Sequence, residues 1–239
     1  MPHHTPRTEA YGDHPDQWVR IVGDASAELV FCFVHGGYWR PRYTAELMDP
    51  LVERVVRDGP VAAAVNIEYR REGDPAAMQD DVRTALHRVR ELFPDALRVA
   101  VGHSAGGHLA LLCADEVDLV VALAPVTDLV GGYGARIGSG AVAELMGASP
   151  AERPEAYAAA TPRPTSTPTL VVHGVDDDRV PVDHARDFAR QARDLDAPVD
   201  FFEFARLAHM DLIDPDGPHV ALVAAWVRGH LRAPRKDAS

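Results

Sequence analysis

A serine stands between small residues in the segment 102–106, which reads Gly-His-Ser-Ala-Gly. The segment follows an apolar run, residues 97–101, and precedes an apolar helical stretch that begins at Ala105. A sharp turn from strand to helix lifts such a serine above the sheet edge, and the crowding at that turn requires small neighbours. The spacing therefore predicts Ser104 as a nucleophile for carbonyl carbon, with the helix N-terminus facing the negative charge that develops.

A second glycine-containing segment, residues 35–39, reads His-Gly-Gly-Tyr-Trp and follows the apolar run 29–34. Attack on a carbonyl places negative charge on its oxygen, and each fixed backbone N–H group there contributes roughly 3 kcal/mol to the transition state. We expect the N–H groups of Gly37, Tyr38 and Ala105 to form this oxyanion hole. We expect Tyr38 and Trp39 to line the substrate pocket, and His35 to organise the loop.

An acid and a base for this serine are expected after it in the chain, because a hydroxyl needs an imidazole as proton acceptor and a carboxylate to orient that imidazole. The order nucleophile, acid, base places the acid in the loop 173–181 and the base at His209. That loop contains three adjacent aspartates, residues 176–178, so spacing alone leaves the acid open.

A metal site is the competing use of the same groups. His173, Asp177, His209 and Asp211 could bind zinc, but no closely spaced His-x-x-x-His or Cys pair accompanies them. We therefore expect catalysis with no metal and no cofactor.

Alternating apolar runs and helical patterns must position these residues. Short runs of this kind are typical of strands buried on both faces, and their alternation with helices predicts a mostly parallel α/β sheet. The predicted strands are 29–34, 61–67, 97–101, 119–123, 170–172 and 199–204, and the main predicted helices are 75–93, 105–114, 183–195 and 219–231.

One region interrupts this alternation. Residues 125–168 are rich in glycine and proline, with short helical patterns near 141–146 and 151–158. Because a connection this long inside a compact domain is usually functional, we expect a small cap over the site. The predicted organisation is a polar N-terminal segment 1–17, a single domain 18–232 and a tail 233–239.

The composition of the chain limits the classes of partner that it is expected to bind. The chain has 239 residues and a formal net charge of −12, which disfavours binding to nucleic acid or anionic membranes. No stretch approaches the roughly 18 apolar residues of a membrane-spanning helix. Cys32 and Cys113 fall in apolar segments, which favours buried, reduced thiols and a cytoplasmic protein. The expected partner is a small-molecule substrate, and the oligomeric state stays open, with a homodimer as one alternative.

These motifs resemble a known family. Residues 35–39, 102–110 and 209–213 are similar to the motifs of α/β-hydrolase kynurenine formamidases and related small esterases. The loop 173–181 resembles the acid loop of prolyl-oligopeptidase-like and hormone-sensitive-lipase-like enzymes. The resemblance covers the chain from about Leu29 to Leu231, and it implies the α/β-hydrolase fold with Asp177 as the acid and Asp178 as second choice. The chain departs from the pattern at Met210, where formamidases commonly have Phe, and at Tyr38, where lipase-type loops have a third glycine.

The resemblance implies hydrolysis of a small carboxylic ester or an aryl formamide, such as N-formylkynurenine, through an acyl-enzyme. Two alternatives stay open: acyl transfer or cleavage of small peptides on the same triad, and a non-catalytic small-molecule-binding module. Binding modules of this fold usually lack a triad residue, whereas all three types are present here.

Overall fold

A computed structural model describes residues 5–58, 62–71 and 74–231, so the predicted tail 233–239 lies outside the described residues. The described part of the chain contains an eight-stranded sheet in the order β1-β2-β4-β3-β5-β6-β7-β8. The strands are β1 (Arg7–Ala10), β2 (Trp18–Val22), β3 (Leu29–Val34), β4 (Ala62–Glu68), β5 (Leu97–His103), β6 (Leu119–Leu123), β7 (Thr169–Gly174) and β8 (Val199–Phe204).

Strands β3 to β8 are parallel to one another, and β2 pairs antiparallel with β4; this confirms the mostly parallel α/β sheet. Their residues are almost continuously buried in the centre; every residue of β4, β6 and β7 is buried. Such strands show as apolar runs in the sequence because helices cover both sheet faces. The loops that follow these strands leave the sheet at one common edge.

The first two strands are antiparallel and differ from the expectation. The segment 1–17, expected to precede the fold, contributes β1, which pairs with β2 at the sheet edge. β1 is mostly exposed, so it shows no apolar run. β2 alternates, with Val19 and Ile21 buried. This period of two is the signal that was available in the sequence.

Helices cover the sheet on both faces. One face packs against α2 (Pro75–Leu92), α3 (Ala105–Leu112) and α7 (Asp183–Asp194), and the other against α1 (Asp49–Asp58) and α8 (Pro218–Leu231). In α2, the Asp74 side chain accepts the Ala76 N–H and Pro75 occupies the first turn, which together define the helix start. Four of these five helices agree with the predicted ones, and α1 is the helix that was not predicted.

The insertion between β6 and β7 contains three helices: α4 (Leu129–Gly134), α5 (Ile137–Met146) and α6 (Pro154–Ala160). The first turn of α5 is left-handed, with positive φ at Gly138, Ser139 and Gly140. The insertion contacts the loop after β3, because Arg40 forms a two-bond ion pair with Glu144 of α5 at 2.7 and 2.8 Å. The cap predicted for residues 125–168 thus packs against the predicted oxyanion loop.

Cys32 and Cys113 are buried and free, as the sequence suggested. Within the described residues, no helix is both long and apolar enough to cross a bilayer.

Candidate active site

Ser104 lies at the junction of β5 and α3 in a strained conformation, with φ 56° and ψ −118°. The strain is maintained by neighbouring backbone bonds: Ser104 N–H donates to Leu123 O of β6 at 2.8 Å, and Ser104 O accepts from His108 N–H at 3.0 Å. A non-glycine residue in this region costs about 1–3 kcal/mol and is typical of functional sites. The turn leaves Ser104 at the carboxyl edge of the sheet, as predicted.

Glycines allow the surrounding backbone to approach this turn. A Cβ built on Gly106 would overlap Val34 O of β3, so α3 reaches this position only because residue 106 lacks a side chain. A Cβ on Gly36 would lie 3.0 Å from Ser104 Cβ. The loop after β3 and the candidate nucleophile are therefore direct neighbours.

The predicted oxyanion loop has a left-handed backbone. Gly37, Tyr38 and Trp39 have φ values of 116°, 60° and 55°. Among the described residues, none accepts a hydrogen bond from the backbone N–H of Gly37 or Tyr38. Ala105 is the first residue of α3, where backbone N–H groups have no partner within the helix. The backbone N–H groups of Gly37, Tyr38 and Ala105, the three predicted oxyanion donors, thus lie where no hydrogen bond within the secondary structure occupies them.

His35 anchors this loop to β4. Its Nε2 lies 2.9 Å from Glu68 Oε1, and its Nδ1 lies 2.7 Å from Gly36 O. The Tyr69 ring stacks on His35 at 4.5 Å, and the Tyr69 hydroxyl donates to His35 O. Glu68 also pairs with Arg71, so a buried charged group supports the loop. His35 therefore has the organising contacts expected of it.

The two aromatic residues of the loop lie in different places. Tyr38 is half-buried and its ring borders Gly138 of the cap, the Arg40 guanidinium and Tyr43. Trp39 is only 4% exposed and packs edge-on against His108 of α3 at 5.3 Å. Tyr38 thus faces the cap, whereas Trp39 supports the loop from the interior. A contact of either residue with substrate stays a prediction.

Asp177 follows β7, and its carboxylate is fully buried. Oδ1 accepts the N–H groups of Arg179 and Val180 at 2.9 and 2.8 Å, and Oδ2 accepts from His209 Nδ1 at 2.7 Å. Burial alone would raise the pKa of Asp177, but hydrogen bonds from His173 and His209 outweigh it and hold the pKa well below its usual range. The side chain of Asp178, the second choice, is 77% exposed and faces Arg179.

His209 begins the short 3-10 helix His209–Ile213 after β8 and is 2% exposed. Asp211 closes this turn by accepting the Ala208 N–H. The His209 ring packs against the His103 ring at 4.6 Å, and His103 Nε2 lies 3.0 Å from His209 O. Burial and the neighbouring His209 lower the pKa of His103 to about 3. His103, the residue before Ser104, therefore connects the base loop to the nucleophile turn as a neutral ring.

The structure thus brings together residues from four loops: 35–38, 103–105, 177 and 209. Asp211, considered as a zinc ligand, caps its own turn instead. Within the described residues, no group of three or more His, Cys, Asp or Glu side chains is arranged to hold a metal ion. The supporting roles of Glu68 and His103 were not predicted, because the only signal for either in the sequence is a polar residue at the end of a buried strand.

A model of the prolyl oligopeptidase family matches residues 70–232. This range includes Ser104, Asp177 and His209 but not the loop 35–39. A search of curated protein sequences gives no significant match.

Solved structures share the fold at low sequence identity. A truncated carbohydrate esterase from gut microbiota is 17% identical, with a TM-score of 0.80 over 95% of this chain and 96% of that one. An esterase from Thermogutta terrifontis with bound propionate is 20% identical, with a TM-score of 0.70 over 98% and 97% of the two chains. An acetyl ester-xyloside bifunctional hydrolase from Caldicellulosiruptor lactoaceticus is 20% identical, with a TM-score of 0.74 over 98% and 99%.

Proposed function

Since the chain belongs to the prolyl oligopeptidase family and is a serine hydrolase of the α/β-hydrolase fold, we propose that it cleaves small carboxylic esters or aryl formamides through an acyl-enzyme. Ser104 is the proposed nucleophile, His209 the base and Asp177 the acid that orients it. The observation that carries this assignment is the 2.7 Å bond from His209 Nδ1 to the buried Asp177 carboxylate. With Nδ1–H held in this way, Nε2 is the nitrogen left to accept a proton.

The reaction follows from these roles. His209 Nε2 takes the Ser104 proton as Oγ attacks the carbonyl carbon, and the N–H groups of Gly37, Tyr38 and Ala105 stabilise the oxyanion. The imidazolium then gives this proton to the leaving alcohol or amine, and the acyl group remains on Oγ. Water repeats the sequence on the acyl-enzyme, which releases the carboxylic acid and restores the serine.

A short acyl group is the proposed specificity. The Tyr38 ring is bordered by Gly138 and Tyr43, so a bulky acyl chain beside the oxyanion loop would meet this ring or the cap. Among the similar structures, one is named for an acetyl ester and another contains propionate, and both names support the same size class. Acetyl to butyryl esters are therefore the substrates that we propose first.

An aryl formamide is the second candidate. Formyl is the smallest acyl group, and the exposed part of the Tyr38 ring offers a face on which an aromatic leaving group can stack. The resemblance of residues 35–39 and 209–213 to kynurenine formamidases supports this candidate. Peptide cleavage is the alternative suggested by the family's name.

The substrate class is tested by kcat/KM on acetyl, butyryl and octanoyl aryl esters, N-formylkynurenine and a blocked short peptide. We expect acetyl and butyryl esters to exceed octanoyl, and N-formylkynurenine to exceed the peptide. Faster turnover of octanoyl esters would contradict the short-acyl proposal, and an untouched formamide would eliminate the second candidate. An added alcohol or amine that captures most of the acyl group would indicate transfer instead of hydrolysis.

The nucleophile is tested by Ser104→Ala. We expect a folded protein whose kcat on a short aryl ester is reduced by about 10³-fold or more, because the covalent step is lost. A fluorophosphonate probe should label the unaltered chain at Ser104 and leave the variant unlabelled. Retained activity, or labelling of another residue, would remove Ser104 from the mechanism.

A further inference from the structure

A second histidine contacts the Asp177 carboxylate. His173 lies at the end of β7 with a fully buried side chain. Its Nε2 is 3.2 Å from Asp177 Oδ2 and 3.0 Å from Val180 O. Its Nδ1 is buried and has no hydrogen-bond partner in the described part of the chain.

These contacts define where the His173 proton resides. Both neighbours of Nε2 are acceptors, so Nε2 carries the hydrogen and donates to them. A second N–H at Nδ1 would be buried without an acceptor, which is unfavourable. His173 therefore carries its hydrogen on Nε2, where Val180 O and the proposed triad acid share it.

The Asp177 carboxylate consequently has donors on both oxygens. Oδ1 receives two backbone N–H groups, and Oδ2 receives the N–H of His209 together with the N–H that His173 shares with Val180 O. His173 and His209 therefore share the negative charge of one oxygen. A hydrogen bond from His173 makes Oδ2 less basic, which weakens the pull of Asp177 on a protonated His209.

We propose that His173 is a positioning residue that fixes the Asp177 carboxylate and moderates the basicity of His209. This inference rests on the proposed Ser104, Asp177 and His209 triad. His173 touches no reacting atom and acts only through Asp177.

Other charged or titratable groups surround this pair. On the His209 side, the His103 ring packs against the base, and Arg179 of the acid loop interacts electrostatically with His103. On the His173 side, His184 of α7 and Glu203 of β8 interact electrostatically with His173. Of all these groups, only His209 and His173 donate a side-chain hydrogen bond to Asp177.

The experiment follows the imidazole of His209 directly by NMR, in full-length protein with Ser104→Ala so that turnover does not interfere. With His173→Phe, Oδ2 loses one donor, and the titration midpoint of His209 should rise by about half to one pH unit. His173→Gln returns an amide N–H near the position of Nε2, so its midpoint should lie closer to that of the parent than to that of His173→Phe.

His108→Phe is the matched control. His108 is also fully buried, with Nε2 bonded to a backbone carbonyl, Ala160 O, and with Nδ1 unpartnered among the described residues. It has no carboxylate partner, so its loss should leave the His209 midpoint unchanged. A purely structural role for His173 would give the same small effect in both phenylalanine variants.

An unchanged His209 midpoint in His173→Phe would overturn the proposal. If that variant does not fold, His173→Asn takes its place, because the shorter amide does not reach Oδ2. The tautomer of His173 in the unaltered chain gives an independent test: a proton on Nδ1 instead of Nε2 also overturns the proposal.

In proteins with Ser104 intact, the acid limb of the pH profile of kcat/KM should move with the titration midpoint of His209. Absence of any hydrolysis by the unaltered chain would instead contradict the proposed function, while the NMR result would still stand.

Discussion

Three non-glycine residues of the candidate site have a positive φ: Ser104, Tyr38 and Trp39. This conformation costs an L-residue free energy. All three lie at the candidate site, and the first two are a proposed nucleophile and a proposed oxyanion donor. The buried strands next to these turns hold them in place, so the stability of the sheet offsets the cost of the unfavourable conformations. At this scale the orientation of single N–H and O–H groups decides whether the site can act.

The choice among three adjacent aspartates is also made at single residues. Asp177→Asn should lower kcat by about 10⁴-fold, because an amide donates where a carboxylate accepts and leaves the imidazole in the wrong tautomer. The kcat of Asp178→Asn and of Asp176→Asn should stay within several-fold of that of the unaltered chain, because both side chains are exposed. Steady-state kinetics on a short aryl ester distinguish these outcomes. A larger loss in Asp178→Asn than in Asp177→Asn would move the acid by one residue.

Strand ends and the loops that follow them set the distances within the site. The acid loop begins after Gly174 of β7, and the base loop passes beside it at Leu207. A Cβ on Gly174 would overlap Leu207 O, which is a backbone atom two residues before His209. The two loops can therefore approach this closely only with glycine at position 174.

Gly174→Ala should separate these loops and lower kcat/KM by about 10²-fold, since small displacements of catalytic groups have effects of this size. The free energy of unfolding should also fall by about 1–3 kcal/mol because of the overpacking. Kinetics and urea denaturation measure the two effects. Activity equal to that of the unaltered chain would show that the loops tolerate the added methyl group.

Gly229→Ala is the control for this substitution. Gly229 lies in α8, and a Cβ there would meet no atom within 4 Å. Alanine is the better helix former by about 1 kcal/mol, so this variant should be slightly more stable and fully active.

For the whole molecule, buried histidines link stability to pH. Burial lowers the pKa of His103 to about 3 and that of His108 to about 4, and it also lowers the pKa values of His184 and His219. The folded state keeps these rings neutral, whereas the unfolded chain protonates them below about pH 6.5. Protons therefore bind preferentially to the unfolded state in mildly acidic solution.

The free energy of unfolding should consequently be highest above pH 6.5 and should fall as the pH decreases towards 4. His103 and His108 should each account for a loss of about 2 kcal/mol between pH 7 and pH 5. Urea denaturation at both pH values measures this change. His108→Gln, which keeps an amide donor for Ala160 O but does not titrate, should reduce the loss by the His108 share. An identical pH dependence in this variant would exclude His108 as a contributor.

The sequence by itself determined the elements of the parallel sheet. The apolar runs of β3, β6 and β8 coincide with the observed strands, and α2, α3, α7 and α8 were recognised to within one or two residues of their ends. Buried strands and amphipathic helices are local in their pattern, so periodicity alone reveals them. The position of Ser104 between strand and helix was accessible for the same reason.

Only the tertiary structure decided features that depend on distant contacts. β1 was missed because an exposed edge strand has no apolar pattern, and its pairing partner β2 defines it. Trp39 packs against His108 in the interior, and its predicted contact with substrate stays a prediction. Neither position can be inferred from neighbours in the chain.

The contacts of Asp177 illustrate the same limit at the candidate site. Three adjacent aspartates have nearly the same local sequence, and only the one whose side chain turns inward reaches His209, 32 residues later in the chain. His173 attracted attention in the sequence only as a conceivable zinc ligand, whereas in the fold it donates to that same carboxylate. Hydrogen-bond geometry across loops depends on where the sheet brings the strand ends, and it is therefore a property of the folded chain.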